Sequence, residues 1–353
     1  MTEKKNAFAW FFVEILWRTF CVNMVWNTFC KKWIWRGFFV NLVYKKFDKW
    51  KGWIYLAPAL VLLLVFTVWP IINTVRIAFL EGYSTLGEIG GGSYPLGFGN
   101  FKKVVDYSKF WSNLKNTMLL TVITVPLSTI IALLIAVCLN SIKWFNKFLQ
   151  TIYFLPYVTN SIAIGMVFAA MFNVSRNGLG EYESIGILNN ILGWFNIAPI
   201  DWINGTSSWE ANMFVMVFYI VWNALPFKIL ILLGGLQSVN KQYYDAAKID
   251  STPKWRVFTR VTVPLLSPMI AYVVITGFIG GFKEYSSIVG VFGENMGPID
   301  YEMGTMVGYI YYALYKGGRG AEGRAAAAAL ILFAIIFAVT LVNLYVSKKK
   351  THY

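Results

Sequence analysis

An all-α membrane protein crossing the bilayer six times is the fold class this sequence predicts, with an amphipathic, interfacial helical segment at its N-terminus. Three observations predict it. The first is composition: 57% of the 353 residues are apolar and 14% charged, where a soluble domain carries about 25% charged residues. Mean hydropathy is +0.56. The second is length. A spanning helix needs about 20 mostly apolar residues, and six segments supply them: 53–80, 113–139, 148–172, 210–236, 266–292 and 325–346. The third is the placement of charge. Lys and Arg number 31 against 17 Asp and Glu, a net +14. The basic residues collect before the first segment, in 140–147 (Lys143, Lys147), in 237–265 (Lys241, Lys248, Lys254, Arg256, Arg260) and at Lys348, Lys349 and Lys350. All four stretches fall on one side of a six-span arrangement, and the positive-inside rule makes that side the cytoplasm. The connection 173–209 holds Glu181, Glu183 and Asp201 against Arg176, and falls outside. The basic excess therefore points to a membrane face rather than to nucleic acid.

Residues 1–52 form a separate basic, aromatic-rich segment. Residues 7–30 are apolar but carry Glu14 and Arg18 at i, i+4, a spacing that lets them pair on one helix face. The segment reads as a helix lying in the membrane interface, with an additional spanning helix as the alternative. No short apolar core with a small-residue cleavage site marks a signal peptide. The six-span body is 53–348, with the connection 237–265 within it, and 349–353 is a basic tail. Pro70, Pro126, Pro156 and Pro226 fall within or beside the spans. Broken helices are tolerated in lipid where neighbours or a cavity satisfy the freed carbonyls. Gly277 and Gly281 make a G-x-x-x-G, as do Gly304 and Gly308, a pattern for close helix packing.

Several chemistries are disfavoured. The only histidine is His352, and Cys21, Cys30 and Cys138 form no C-x-x-C pair. A histidine-based catalytic site, a zinc site and a redox motif have no support, and no metal site is expected. No Gly is followed by Lys, so no P-loop is present and any ATP use belongs to another chain.

The connection 237–265 is the most informative stretch. It reads Tyr243-Tyr244-Asp245-Ala246-Ala247-Lys248-Ile249-Asp250-Ser251, then Pro253-Lys254-Trp255-Arg256-Val257-Phe258, ending at Val261-Thr262-Val263-Pro264. Asp245, Ala246 and Ala247 open a short helix, and Ser251 and Pro253 break it. A second amphipathic piece follows, with Trp255, Phe258 and Val261 at i, i+3, i+6. Pro264 leads into the fifth span. Small alanines beside an apolar ridge suit insertion into a groove of another protein.

These residues resemble the cytoplasmic loop of membrane subunits of bacterial ABC importers, which has the form E-A-A-x3-G-x9-I-x-L-P. This chain has D-A-A-x3-S-x9-V-x-V-P at identical spacing, with Asp245 in place of Glu and Ser251 in place of Gly. Further likeness lies in Trp222-Asn223-Ala224-Leu225-Pro226-Phe227, in Leu236-Gln237-Ser238-Val239, in Gly186-Ile187-Leu188-Asn189 followed by Trp202, and in Gly297-Pro298 followed by Gly308-Tyr309-Ile310-Tyr311. These resemble the sugar branch of the family, of maltose, glycerol-phosphate and multiple-sugar type, over about 53–348.

The resemblance implies the six-helix core of a type I importer permease, a non-catalytic half of an ATP-driven, binding-protein-dependent sugar importer. It implies a second permease subunit of related, non-identical sequence, two ATPase subunits carrying ATP and Mg, and an external sugar-binding protein. It places no cofactor on this chain. The ATPase contact implied is Tyr244, Asp245, Ala246, Ala247, Asp250, Ser251, Trp255, Phe258 and Pro264. By position, the family's sugar contacts fall near Ile220, Asn223, Ala224, Gly277, Gly281 and Glu284. Read from the residues themselves, Tyr219, Trp222 and Asn223 offer aromatic and amide surface on the fourth span, and Lys283, Glu284 and Tyr285 sit toward the outer half of the fifth. Ionisable residues within a span mark function by default. A secondary transporter or channel acting without an ATPase is the competing class, with Lys283 and Glu284 available for ion coupling. It needs no D-A-A loop, and the chain has no clear internal repeat. A membrane-embedded enzyme is the weakest class.

Overall fold

The computed structural model describes residues 51–350 apart from 54, 90–91, 143–145, 177–181, 298–301 and 319. The interfacial reading of residues 1–50 lies outside the described residues, as do Lys143 and Pro298. The chain divides into two units, Met1–Ile71 and Ile72–Tyr353. The described part of the first unit is apolar helix, with one π-helical stretch at Leu64–Val68. It belongs to α1, Tyr55–Phe79.

The second unit is built from α2 (Thr85–Ile89), α3 (Gly99–Val105), α4 (Phe110–Ser141), α5 (Asn146–Val158), α6 (Ser161–Phe172), a hairpin of β1 (Val174–Arg176) and β2 (Tyr182–Ile185), α7 (Ile187–Gly193), α8 (Trp209–Ser238), α9 (Lys241–Ile249), α10 (Lys254–Leu265), α11 (Ser267–Gly281), α12 (Ser286–Phe292), α13 (Met306–Lys316) and α14 (Ala321–Lys350). Four helices, α1, α4, α8 and α14, are each long and apolar enough to cross a membrane alone. Two bent pairs among the described residues, α5 with α6 at 96° and α10 with α11 at 67°, pass the same test together, which makes six crossings if each pair is one span. The first of these bends follows Pro156 and is capped by Asn160, whose side chain accepts from Ile162 N at 2.8 Å.

The fifth expected span, 266–292, is not one helix. Continuous helix ends at Gly281, and Phe282–Tyr285 form a break before α12. Lys283 and Glu284 therefore sit on non-helical backbone between α11 and α12. The last helix runs on through Lys350, and 351–353 lie outside the described residues.

α8 packs along α4 through most of its length. Two apolar clusters separate along this pair. One gathers Leu120, Phe168, Phe172, Met216, Tyr219 and Ile288. The other gathers Ala132, Ala136, Ile229, Leu232, Leu236 and Leu266. A third, with Ala325, Ala327 and Ala328, seats α14. Glycines allow two close crossings. A Cβ on Gly165 of α6 would sit 2.7 Å from the Gly290 Cα of α12, and one on Gly281 would sit 2.9 Å from the Thr121 methyl of α4.

The connection after α6 is organised by one buried amide. Asn189 donates to Ile200 O at 2.9 Å, and its oxygen accepts from Ile200 N and from Trp202 Nε1, each at 3.1 Å. The connection after α12 is tied to α4 in the same manner, because Asn116 donates to Glu302 O at 2.9 Å and Gly304 O at 3.1 Å.

Candidate functional site

Two regions hold the residues singled out by sequence. The first is a cavity of about 280 Å³ between the two apolar clusters, enclosed by α4, α5, α8 and α11. Its lining includes six of the sequence-predicted residues: Ile220, Asn223 and Ala224 on α8, Gly277 and Gly281 on α11, and Glu284 in the break beyond. Helical spacing explains the grouping. Ile220, Asn223, Ala224 and Phe227 recur at i, i+3, i+4, i+7, which keeps them on one face of α8. Gly277 and Gly281 recur at i, i+4 on α11, where the missing side chains leave the space open. A Cβ on Gly277 would lie 3.0 Å from Val125 and 3.3 Å from Lys228 Nζ. The Glu284 carboxylate accepts from Ser287 N at 3.2 Å, and its carbonyl accepts from Thr305 Oγ1 at 3.0 Å, so the connection after α12 holds the break in place.

Four sequence-predicted residues are not among those lining the cavity. Tyr219 is fully buried and its hydroxyl bonds to the Ser161 carbonyl, which joins α8 to the start of α6. Trp222 packs on Phe168 with ring centroids 5.2 Å apart. Tyr285 stacks on Tyr311 at 4.3 Å. Lys283 is exposed.

The cavity also contains residues the sequence reading passed over: Thr124, Ser128, Tyr157, Phe227 and above all Lys228. Lys228 is 4% exposed and uses all three of its N–H donors. They go to Val125 O at 3.0 Å, Ser128 Oγ at 2.7 Å and Thr129 Oγ1 at 2.9 Å. All three acceptors are neutral, and no carboxylate pairs with it among the described residues. Its acceptors cluster at Pro126, where the helix lacks one N–H. A buried lysine in an apolar span was visible in the sequence as Phe227-Lys228-Ile229.

The second region is the segment 237–265. Asn240 caps α9, its side chain accepting from Gln242 N at 3.0 Å. The helix closes on a two-bond turn in which Thr252 N donates to Ala247 O at 2.9 Å and Ser251 N to Lys248 O at 3.0 Å. That pairing is the Schellman motif, and its penultimate residue must adopt a left-handed conformation. Ser251 does so, with φ +53°. The serine thus occupies a glycine conformation at the position where the D-A-A pattern calls for glycine. Asp245 and Lys248 pair at 3.0 Å on the exposed surface. Ile249 is 84% exposed and Trp255 72% exposed, with Ala246 and Asp250 exposed beside them. Phe258 is half-buried, its ring 5.6 Å from that of Trp255. Tyr244 and Pro264 are half-buried at the two ends of the segment. An apolar, small-residue ridge standing free on a capped helix is a docking geometry.

Residues 97–352 match the family described as binding-protein-dependent transport system inner membrane component. The chain belongs to this family. Among the relatives, the arabinooligosaccharides transport system permease protein of Bacillus subtilis is 30% identical over 315 residues, covering 87% of this chain and 91% of its own. The lactose transport system permease protein of Rhizobium radiobacter is 27% identical over 273 residues, covering 77% and 86%. The fold is that of a solved bacterial ABC transporter involved in import of the acidic polysaccharide alginate, with TM-score 0.71 at 21% identity over 88% of this chain and 99% of that one. The expected fold, a helical importer permease, is the observed one. This family member is a multi-pass membrane component of a transport system.

Proposed function

We propose that this chain forms half of the translocation path of an ATP-driven carbohydrate importer and receives the ATPase stroke through α9. The observation that carries the reading is the cavity. It brings together the hydroxyls of Thr124, Ser128 and Tyr157, the amide of Asn223, the Glu284 carboxylate and the flat rings of Tyr157 and Phe227. Hydroxyl-rich ligands need such donors and acceptors, with aromatic faces for their C–H surfaces. The names of the relatives, which concern lactose and arabino-oligosaccharides, support the substrate class. A related second permease closes the other half of the path. An external sugar-binding protein delivers the load, as a periplasmic binding protein accompanies the related alginate transporter.

The α9 segment is the lever. Asp245, Ala246, Ala247, Asp250 and Ser251 face a groove of the ATPase subunit, with Trp255 and Phe258 bracing the base and Tyr244 and Pro264 fixing the ends. ATP and Mg bind on that partner, and the basic face carrying α9 and the C-terminus is cytoplasmic. The test is co-purification of the tagged chain from its native membrane in mild detergent. Recovery of a P-loop ATPase that weakens at least fivefold in Ala247→Asp supports the lever. Undiminished recovery in that variant refutes it.

A further inference from the structure

We propose a second binding site, an anionic-phospholipid groove between α11 and α14. A cavity of about 520 Å³ opens along these two helices, away from the translocation cavity and sharing none of its lining residues. Its chemistry is layered. At one end stands the Lys349 ammonium, 4.6 Å from the centre of the Tyr345 ring. Six residues back along α14, about 9 Å deeper at the helical rise, comes Asn343. Ser267, the first residue of α11, lines the same groove, and Ile270, Val274 and Ile275 follow it into the bilayer.

Asn343 Nδ2 and Ser267 Oγ are both shielded from solvent and both lack a hydrogen-bond partner. Orphaned polar groups at lipid depth are costly and demand an explanation. They belong to side chains that line an apolar channel with a cation at its end. The occupant must therefore offer acceptors and negative charge at one end and hydrocarbon at the other. A transmembrane helix offers few free acceptors, since its backbone is already paired. A phospholipid offers phosphate oxygens, then ester carbonyls, then acyl chains, in the order cation, donors, hydrocarbon found here. The anionic headgroup follows from Lys349, and the cytoplasmic placement of this end follows from the orientation given above.

The test is native mass spectrometry of the intact assembly carrying this chain, titrated in detergent with phosphatidylglycerol or phosphatidylcholine. The wild type is expected to retain phosphatidylglycerol at least fivefold better than phosphatidylcholine. Ala271→Phe, which fills the groove, removes the retention. Asn343→Leu and Ser267→Ala each lower it threefold or more, and Lys349→Ala abolishes the preference between headgroups. Lys349→Ala, at an exposed position, keeps the test valid should Ala271→Phe fail to fold. Equal retention of both lipids by the wild type overturns the proposal, as does retention unchanged in all four variants. Disulfide trapping of Ser267→Cys to another protein segment in the assembled complex also overturns it, because the groove is then covered by protein. None of these readings depends on transport, so they stand apart from the importer assignment.

Discussion

Replacing Ser251 by glycine should tighten the closing turn of α9. Ser251 holds φ +53° at the closing position of a turn whose two hydrogen bonds, Thr252 N to Ala247 O and Ser251 N to Lys248 O, end the helix. A non-glycine residue in the left-handed region costs about 1–2 kcal/mol. Glycine removes that cost and adds about 0.5–1 kcal/mol of backbone entropy to the unfolded segment. The net stabilisation is about 0.5–1 kcal/mol, a factor of about 2–5 in the local opening equilibrium at RT near 0.59 kcal/mol. Hydrogen exchange of the assembled protein reads it directly. The Thr252 and Ser251 amides should exchange about 2–5 times more slowly in Ser251→Gly. In Ser251→Val, whose β-branch is worse at positive φ, they should exchange faster. Unchanged exchange in both variants would refute the assignment of strain to this residue.

Gly277→Leu should place a side chain against Val125 and Lys228 and fill the cavity; uptake should fall at least tenfold while the complex still assembles, as size-exclusion chromatography would report. Gly165→Ala puts a Cβ 2.7 Å from Gly290 backbone, and overpacking of this kind costs about 1–3 kcal/mol, so the thermal midpoint should drop by several degrees. Glu88 accepts hydrogen bonds from the Tyr83 hydroxyl and the Arg76 guanidinium, and these two hold its carboxyl below the usual carboxylate range, in that order of influence. A depressed carboxylate contributes stability above its unfolded pKa, about 4.3, and loses it as pH falls through the folded value. Glu88→Gln should therefore lower the thermal midpoint at pH 7, and the gap to wild type should close as the pH is brought below 4.

The membrane crossings were legible because twenty apolar residues in a row leave few alternatives in water or lipid. The short helix α9 and its closing turn were legible for another reason: Asp245-Ala246-Ala247 and the break at Ser251 and Pro253 are local signals that need no tertiary partner. Ile220, Asn223, Ala224, Gly277, Gly281 and Glu284, which the family resemblance marked by position, line one cavity. What escaped was tertiary. The bends at Thr159–Asn160 and at Leu266 redirect two crossings, and a hydropathy pattern carries no angle. The break after Gly281 is held by Thr305, whose hydroxyl donates to the Glu284 carbonyl from the connection after α12, with a local bond from Ser287 N to the Glu284 carboxylate beside it. Tyr219 looked like substrate surface because it offers an aromatic face and a hydroxyl on the fourth span, yet the ring is buried and the hydroxyl bonds to the backbone of Ser161. Lys228 was overlooked because its three acceptors lie about a hundred residues earlier, on α4.

The most direct test of the account is uptake of labelled oligosaccharides into proteoliposomes holding the co-purified assembly. The account predicts uptake that requires ATP and the external binding protein, persists when ion gradients are collapsed, and is lost in Gly277→Leu. Uptake by this chain alone, driven by an ion gradient and indifferent to ATP, would contradict it.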